Sequence, residues 1–92
     1  MRSGRRINYS SIRLVYRFNN LGFSRLGLAV SRKFGNAIQR NRFKRQLREV
    51  FRTGDSRSRG IDILAIPRVN AASCMAAAHD FSEALAMIRD QK

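Results

Sequence analysis

RLGLAVSRKFGNAIQRNRFKRQLREVFR, residues 25–52, contains the change of pattern that decides the fold. In its first part bulky and small residues alternate, which predicts a strand over residues 25–32. Gly35-Asn36 is typical of a break in regular structure. Beyond it, apolar residues recur within about one third of a helix circumference; they are Phe43, Leu47, Val50 and Phe51. We therefore predict a strand, a turn and a helix that ends near Arg52.

Three further segments complete the predicted order. Residues 10–18 alternate apolar and polar side chains, as a half-buried strand does, and residues 19–22 are a turn signal. After a polar loop at residues 53–60, the apolar run 61–67 predicts a buried strand. Ser73 is a suitable N-cap for a last helix. The apolar stripe of that helix consists of Ala77, Phe81, Leu85 and Ile88.

These elements predict one α+β domain over residues 1–92, with two helices packed on a small mixed sheet. The element order is β-β-α-β-α. A short loop joins the first two strands, which favours an antiparallel hairpin. The second and third strands flank a helix, which favours a parallel β-α-β unit. Residues 1–8 are basic and irregular, and we expect residues 1–9 to be mobile.

The net charge of +13 is concentrated in the first half of the chain. Thirteen basic residues and no acid occur from Met1 to Arg48, and the six acids lie beyond them among six basic residues. Such a one-sided basic surface is the electrostatic footprint of a polyanion, either nucleic acid or an anionic membrane. No apolar run approaches the roughly 20 residues of a spanning helix. We therefore predict a nucleic-acid partner and no membrane partner.

Histidine and cysteine usage argues against catalysis by this chain. The lone Cys74 excludes an internal disulfide, so we predict no disulfide-linked partner and a reducing, cytoplasmic location. His79 and Asp80 are adjacent on a predicted helix, where neighbouring side chains point about 100° apart. No residues have metal-ligand spacing, and no glycine-rich phosphate motif occurs. We predict no catalytic residues and no metal site made by the protein alone.

The predicted helix after Gly35-Asn36 carries more positive charge than a solvated helix face normally does. Six basic residues and one acid, Glu49, lie between Arg40 and Arg52. A solvated helix mixes signs because opposite charges four residues apart stabilise it, so this charge favours an external polyanion. Arginine suits bidentate contact with phosphate, and Asn41 can bond a phosphate, a sugar or a base edge.

A second candidate surface is predicted beside this helix. Tyr16 and Phe18, next to the small residues Ala29 and Ser31, would form the floor of a shallow groove in which bases stack and phosphates pair. Both aromatic residues would fit a hydrophobic core as well, and that alternative stays open at this stage.

The stretch quoted above closely resembles the signature of the bacterial ribonuclease P protein component. That family carries a strand of R-x-G-hydrophobic-x-V-S kind, a basic pair, G-N-A, and then R-N-R-x-K-R-x-x-R on a helix. This chain has each in order: Arg25, Gly27, Val30, Ser31, Arg32-Lys33, Gly35-Asn36-Ala37, Arg40-Asn41-Arg42, Lys44-Arg45 and Arg48. IDILAIPR, residues 61–68, is similar to the strand that follows in the family.

The resemblance implies the accessory protein subunit of an endoribonuclease that removes the 5′ leader of precursor tRNA. The catalytic groups and most of the bound Mg²⁺ are then expected in the RNA subunit. The implied partners are ribonuclease P RNA and precursor tRNA. The residues assigned to the RNA subunit are Arg32, Lys33, Arg40, Asn41, Arg42, Arg45 and Arg48. Those assigned to the leader are Tyr16, Ala29 and Lys44.

The resemblance also implies details of the fold. The family has the fold of the second domain of a small-subunit ribosomal protein, with a left-handed β-α-β crossover where the general rule predicts the right hand. Its members begin with a helix that lines part of the leader cleft. Residues 1–11 resemble the loop after that helix, so we expect the helix to be missing here and leader binding to be the weaker function.

Two other classes of nucleic-acid binder share the basic surface. A structural RNA-binding protein of ribosomal type is the alternative function, and the combination of G-N-A with R-N-R-x-K-R favours ribonuclease P over it. DNA binding is less favoured, because no second helix stands at helix-turn-helix spacing.

Overall fold

The computed structural model describes residues 4–53, 60–74 and 76–90. Its elements are β1 (Arg5–Tyr9), β2 (Ile12–Phe18), β3 (Arg25–Leu28), α1 (Ala37–Thr53), β4 (Ile61–Pro67) and α2 (Ala77–Asp90), with a short 3-10 helix at Ala71–Ser73. The predicted α+β class is confirmed. The order β-β-β-α-β-α contains one strand more than the sequence pattern predicts. Most of the predicted polar loop, residues 54–59, lies outside the described residues.

The described strands form one mixed sheet in the order β1-β2-β4-β3. β2 is antiparallel to both β1 and β4, whereas β3 is parallel to β4. The parallel β3-α1-β4 unit is thus confirmed, and the hand of its crossover stays a prediction. The predicted hairpin of β2 with β3 is wrong, because β4 lies between them. The nearly continuous apolar run of β4 suits a central strand, and the short β3 suits an edge.

The strand β1 is the element that the sequence pattern does not predict. The expectation of irregular structure over residues 1–8 is wrong for residues 5–8, and the mobility expected of residues 1–9 stays a prediction. Ile7 is the one buried side chain of this strand, and two exposed arginines precede it. The sequence of the strand therefore does not show the alternation of apolar and polar residues that indicates a strand. Ser10 and Ser11 turn the chain into β2, with Ser10 in the left-handed region at a φ of 52°.

Both helices cover the same face of the sheet. The buried strand residues of the core are Ile7, Ile12, Leu14, Tyr16, Ile61, Ile63 and Ala65. The buried helix residues in the same cluster are Phe43, Leu47, Ala77, Phe81, Ala84, Leu85 and Ile88. Because successive strand residues point to opposite faces, the residues between those of the core belong to the other face of the sheet. That second face is covered by neither helix, and we call it the open face.

The helices agree with their predicted bounds more closely than the strands do. The apolar stripe predicted for α2 is buried throughout, and Phe43 and Leu47 are the buried residues of α1. Ser73 is not the N-cap of α2; it ends the 3-10 helix, which Asn70 caps. The strand β3 ends at Leu28 instead of residue 32; the Ala29 amide still donates to the Ala65 carbonyl at 3.0 Å, and a turn follows at residues 32–34.

Candidate nucleic-acid interface

The start of α1 is fixed by a reciprocal cap between Asn36 and Gln39. The backbone N–H of Gln39 donates to Asn36 Oδ1 at 2.8 Å, and the backbone N–H of Asn36 donates to Gln39 Oε1 at 2.8 Å. Two otherwise unpaired N–H groups are satisfied in this capping box. A Cβ on Gly35 would collide with the Gln39 side chain. The G-N-A-I-Q sequence therefore sets where the basic helix begins and how it is oriented.

The side of α1 that faces away from the core is basic. Arg40 and Lys44 are half-buried at the border of its apolar stripe. The exposed polar residues assigned from the sequence are Asn41, Arg42, Arg45 and Arg48. Ile38, which the sequence pattern does not place, is 75% exposed and lies one turn before Arg42 on the same side. We call this surface, from Ile38 to Arg48, the basic face of α1.

The described residues leave most charges of the basic face without an ion-pair partner. Within residues 4–53, 60–74 and 76–90, the acid that pairs with an α1 arginine is Glu49, which contacts Arg52 at 2.6 Å. Arg42, Arg45 and Arg48 follow one another at three-residue spacing, where like charges repel. None of these three has an ion-pair partner in that part of the chain. An external anion would relieve this repulsion.

The basic pair Arg32-Lys33 lies in the turn that precedes the helix. Both side chains are exposed, and the Phe34 amide donates to the Ser31 carbonyl at 3.1 Å to close the turn. The Phe34 ring is buried 4.9 Å from that of Phe43, measured between centroids. Phe34 thereby fixes the basic pair near the start of α1. The sequence pattern missed this role, although an aromatic residue directly after two cations is a usable signal for an anchor.

The assignment of Tyr16 to leader binding is contradicted by its burial. Tyr16 is 1% exposed and belongs to the core beneath the helices, so its ring offers no surface for a base. The Phe18 ring lies edge-on to the Tyr16 ring, with 6.3 Å between the ring centroids, and Phe18 is 41% exposed. The core alternative left open for these two aromatics is therefore correct for Tyr16.

The open face of the sheet combines apolar and basic residues, as the groove predicted around Tyr16 does, but its apolar residues are aliphatic. Its members, from the strand registers, are Arg6, Asn8, Arg13, Val15, Arg17, Arg25, Gly27, Asp62, Leu64 and Ile66. Val15, Leu64 and Ile66 form a half-buried apolar centre, and arginines surround it. Gly27 adds no side chain, and a Cβ there would stand 3.3 Å from Leu64 Cδ1. The face is thus shallow, apolar at its centre and basic at its rim.

Ala29 and Lys44, the other two residues assigned to the leader, lie near the β3 edge. Ala29 is exposed and lines a shallow groove with Ile66 of the open face. Gln46 and Glu49 line a groove between α1 and Ala78 of α2, so they mark the side of α1 that faces α2. At 100° per residue, Lys44 lies on the opposite side of α1. The structure therefore joins Ala29 to the open face and separates it from Tyr16.

One carboxylate neutralises part of the open face. Arg25 donates to both Asp62 oxygens, from Nε at 2.9 Å and Nη2 at 2.6 Å, and Asn19 donates to Oδ1 at 2.7 Å. Arg17 Nε lies 3.7 Å from Oδ2. The hydrogen bond from Arg25 is the main reason that the pKa of Asp62 falls to about 2; Asn19 and the two guanidinium charges add to it, against the opposing effect of desolvation. Arg13 and Arg6 stay outside this cluster.

Groups suited to catalysis or metal binding do not converge in the described residues. His79 Nε2 lies 3.7 Å from Glu83 Oε1 at an exposed site. Asp80 instead accepts a 2.6 Å hydrogen bond from Ser11, which ties α2 to the β1–β2 turn. Among residues 4–53, 60–74 and 76–90, no three His, Cys, Asp or Glu side chains are grouped to hold a metal ion. In the same ranges, none of the helices has the length and apolar character needed to cross a bilayer.

The two-layer fold, the unbalanced helix and the arginine-rimmed open face define the class: a small α+β domain whose surface suits a polyanion. Comparison with known proteins gives the particular family. The family model described as Ribonuclease P matches residues 1–89, and the chain belongs to that family.

Individual relatives agree with this assignment. The chain is 48% identical over 56 residues to the ribonuclease P protein component of Thermotoga sp. strain RQ2, an overlap of 60% of this chain and 48% of the relative. The component of Syntrophus aciditrophicus is 41% identical over 71 residues, which cover 76% of this chain and 60% of the relative. The chain thus spans about half the length of the first of these curated relatives.

Solved structures of the family match nearly the whole chain. The RNase P protein of Staphylococcus aureus matches with a TM-score of 0.75 at 29% identity, covering 99% of this chain and 84% of that one. The RNase P protein of Thermotoga maritima, in complex with 1-(4-fluorophenyl)-2-thiourea, matches with a TM-score of 0.72 at 31% identity, covering 96% and 83%.

Proposed function

We propose that this chain is the protein subunit of ribonuclease P and that the basic face of α1 binds the catalytic RNA. The observation that carries the proposal is the unbalanced charge of Arg42, Arg45 and Arg48. Each guanidinium can give two parallel hydrogen bonds to a phosphate. Arg32 and Lys33 extend the surface past the helix start, and Asn41 adds a neutral donor and acceptor among the cations.

We further propose that the open face of the sheet takes the single-stranded leader of precursor tRNA. It replaces the groove that the sequence pattern built around Tyr16. Unpaired bases would lie on the apolar centre formed by Val15, Leu64 and Ile66, and Arg13 would meet the backbone phosphates. Single-strand binding surfaces combine base stacking on aromatic rings with phosphate pairing, and here aliphatic side chains would take the place of the rings. Ala29 would extend this path along the β3 edge, with Lys44 as a further cation.

The cleavage chemistry is assigned to the RNA subunit in this proposal. Mg²⁺ bound by that RNA would supply the metal-ion catalysis, since the described residues of this chain offer no grouped ligands for it. The single carboxylate of the open face, Asp62, is already engaged by Arg25. The chain's own residues would position the two RNAs and reduce the repulsion between their backbones.

The leader surface is tested by the affinity of the reconstituted holoenzyme for precursor and for mature tRNA. Arg13→Ala removes a charge from the open face, whereas Arg5→Ala removes one from the neighbouring strand on the side of Tyr16. We expect Arg13→Ala to weaken precursor binding selectively, while Arg5→Ala leaves the ratio of the two affinities unchanged. Equal ratios for both variants would remove the open face from the leader path.

A further inference from the structure

A cavity of about 230 Å³ lies between the first turns of α1 and the 3-10 helix that precedes α2. The residues that line it are Phe34, Gln39, Arg42, Phe43, Gln46, Ala71 and Cys74. Pockets for drug-sized ligands usually measure roughly 300–1,000 Å³, so this one has room for a single small ring system. It differs from the open face, because it lies on the helical side of the sheet.

The lining combines aromatic rings with amide groups. Phe34 and Phe43 meet at 4.9 Å with their ring planes tilted by 54°; they are 6% and 2% exposed, so only their ring edges reach the cavity. Gln39 and Gln46 lie two turns apart on one side of α1, and each amide both donates and accepts hydrogen bonds. The cap with Asn36 fixes the orientation of the Gln39 side chain. A planar apolar ring with a hydrogen-bonding edge complements this lining.

Arg42 connects the cavity to the surface proposed to bind RNA. It belongs to the basic face of α1 and also lines the cavity. A nucleotide whose phosphate is bound by Arg42 would therefore have its base near the cavity opening. Membrane lipid headgroups and acidic peptides would satisfy Arg42 but would leave the cavity unfilled and the two glutamine amides without a complement.

We propose that this cavity takes one unpaired nucleobase of the RNA bound along α1. The inference rests on the proposed function, because it needs that helix to lie on RNA. A base inserted here would pack against the ring edges of Phe34 and Phe43 and form hydrogen bonds with the side-chain amides of Gln39 and Gln46. The site would thus favour RNA with an unpaired nucleotide over a continuous duplex, which the phosphate contacts alone do not distinguish.

Cys74 makes the proposal testable on the unmodified protein. It is the chain's single cysteine, it is half-buried, and it lines the cavity. The rate of its alkylation by N-ethylmaleimide can be followed by mass spectrometry. Single-stranded oligoadenylate should slow this reaction at saturation. A blunt RNA duplex with the same number of phosphates, also at saturation, should leave the rate nearly unchanged.

A cavity-filling variant tests the same point through affinity. Ala71→Leu places bulk in the cavity, and Ala72→Leu places the same bulk on the exposed side of the same 3-10 helix. Affinity for oligoadenylate should fall by roughly 5- to 150-fold in Ala71→Leu, the effect of losing two hydrogen bonds to one base. Affinity for the duplex should stay the same in both variants, and Ala72→Leu should bind both RNAs as the unaltered chain does.

Two results would overturn the base-binding proposal while the proposed function stands. One is equal protection of Cys74 by oligoadenylate and by duplex; the other is a folded Ala71→Leu protein that binds oligoadenylate normally. If the unaltered chain bound neither RNA at low salt, the proposed function itself would fail and the cavity proposal with it. Should Ala71→Leu not fold, the alkylation experiment decides alone.

Discussion

Two substitutions on α1, Arg45→Ala and Leu47→Ala, should separate RNA binding from stability. Leu47 is fully buried, and truncation of such a leucine costs about 2–5 kcal/mol because a cavity remains. A 92-residue domain has a total stability of roughly 5–14 kcal/mol. A loss of about 3 kcal/mol should lower the melting temperature by roughly 12–24 °C. Leu47→Ala should therefore leave a destabilised protein that still binds RNA when folded.

Arg45→Ala should have the opposite effect. Arg45 is exposed, it stands three residues from both Arg42 and Arg48, and alanine is the better helix former, so unfolding should change by about 0.5 kcal/mol or less. The loss of one phosphate contact should lower affinity for ribonuclease P RNA and reduce the slope of log K against log salt by about 0.7–0.9. Circular dichroism during thermal unfolding and RNA titration at several salt concentrations measure both effects. The reasoning is refuted if Arg45→Ala unfolds the protein, or if its affinity per folded molecule is unchanged.

Three further results are expected from the same structure. Binding of ribonuclease P RNA by the unaltered chain should weaken on the order of 10²–10⁴-fold between about 50 and 200 mM salt, as release of counterions from several phosphates requires; a nearly flat titration would contradict a phosphate-based interface. Asn36→Ala should cost about 1 kcal/mol in urea unfolding, since it removes the N-cap of α1, and an unchanged midpoint would show that the cap is dispensable. Because the pKa of Asp62 is about 2 in the folded chain and roughly 3.9 when unfolded, its contribution to stability should be complete above about pH 4 and lost as the pH falls towards 2. Asp62→Asn should flatten that part of the stability profile, and an identical acid profile in both proteins would remove the Arg25–Asp62 contact as its cause.

The elements that follow from local pattern were predictable from the sequence. The helical spacing of Phe43 and Leu47 and the Gly35-Asn36 break are properties of one continuous stretch, and α1 forms where they indicate. The parallel pairing of β3 with β4 was predictable for a related reason, since a helix between two strands carries the chain back across the sheet. The charged residues of the R-N-R stretch needed no long-range information to be placed on an exposed face.

Pairings between distant segments were not predictable in the same way. The position of β4 between β2 and β3 depends on which strand can have neighbours on both sides. The strand β1 was not predicted, because its arginines obscure the alternation of apolar and polar residues. Arg25, Asn19 and Asp62 meet only through this strand order, across 37 and 43 residues of sequence. The alternation of residues 10–18 showed that β2 has two faces. The sequence alone did not show which of these faces the helices cover. They cover the face that carries Tyr16, and this burial excludes Tyr16 as a leader contact.

The central claim is that this chain assists leader removal by a catalytic RNA. Its most direct test is the rate of 5′ cleavage of precursor tRNA by bacterial ribonuclease P RNA at low Mg²⁺, with and without the chain. Arg45→Ala serves as the matched control for binding through α1. We predict that the chain raises the cleavage rate and that Arg45→Ala needs a higher protein concentration for the same effect. A folded chain that binds this RNA and leaves the rate unchanged would contradict the account, and would favour a structural RNA-binding protein.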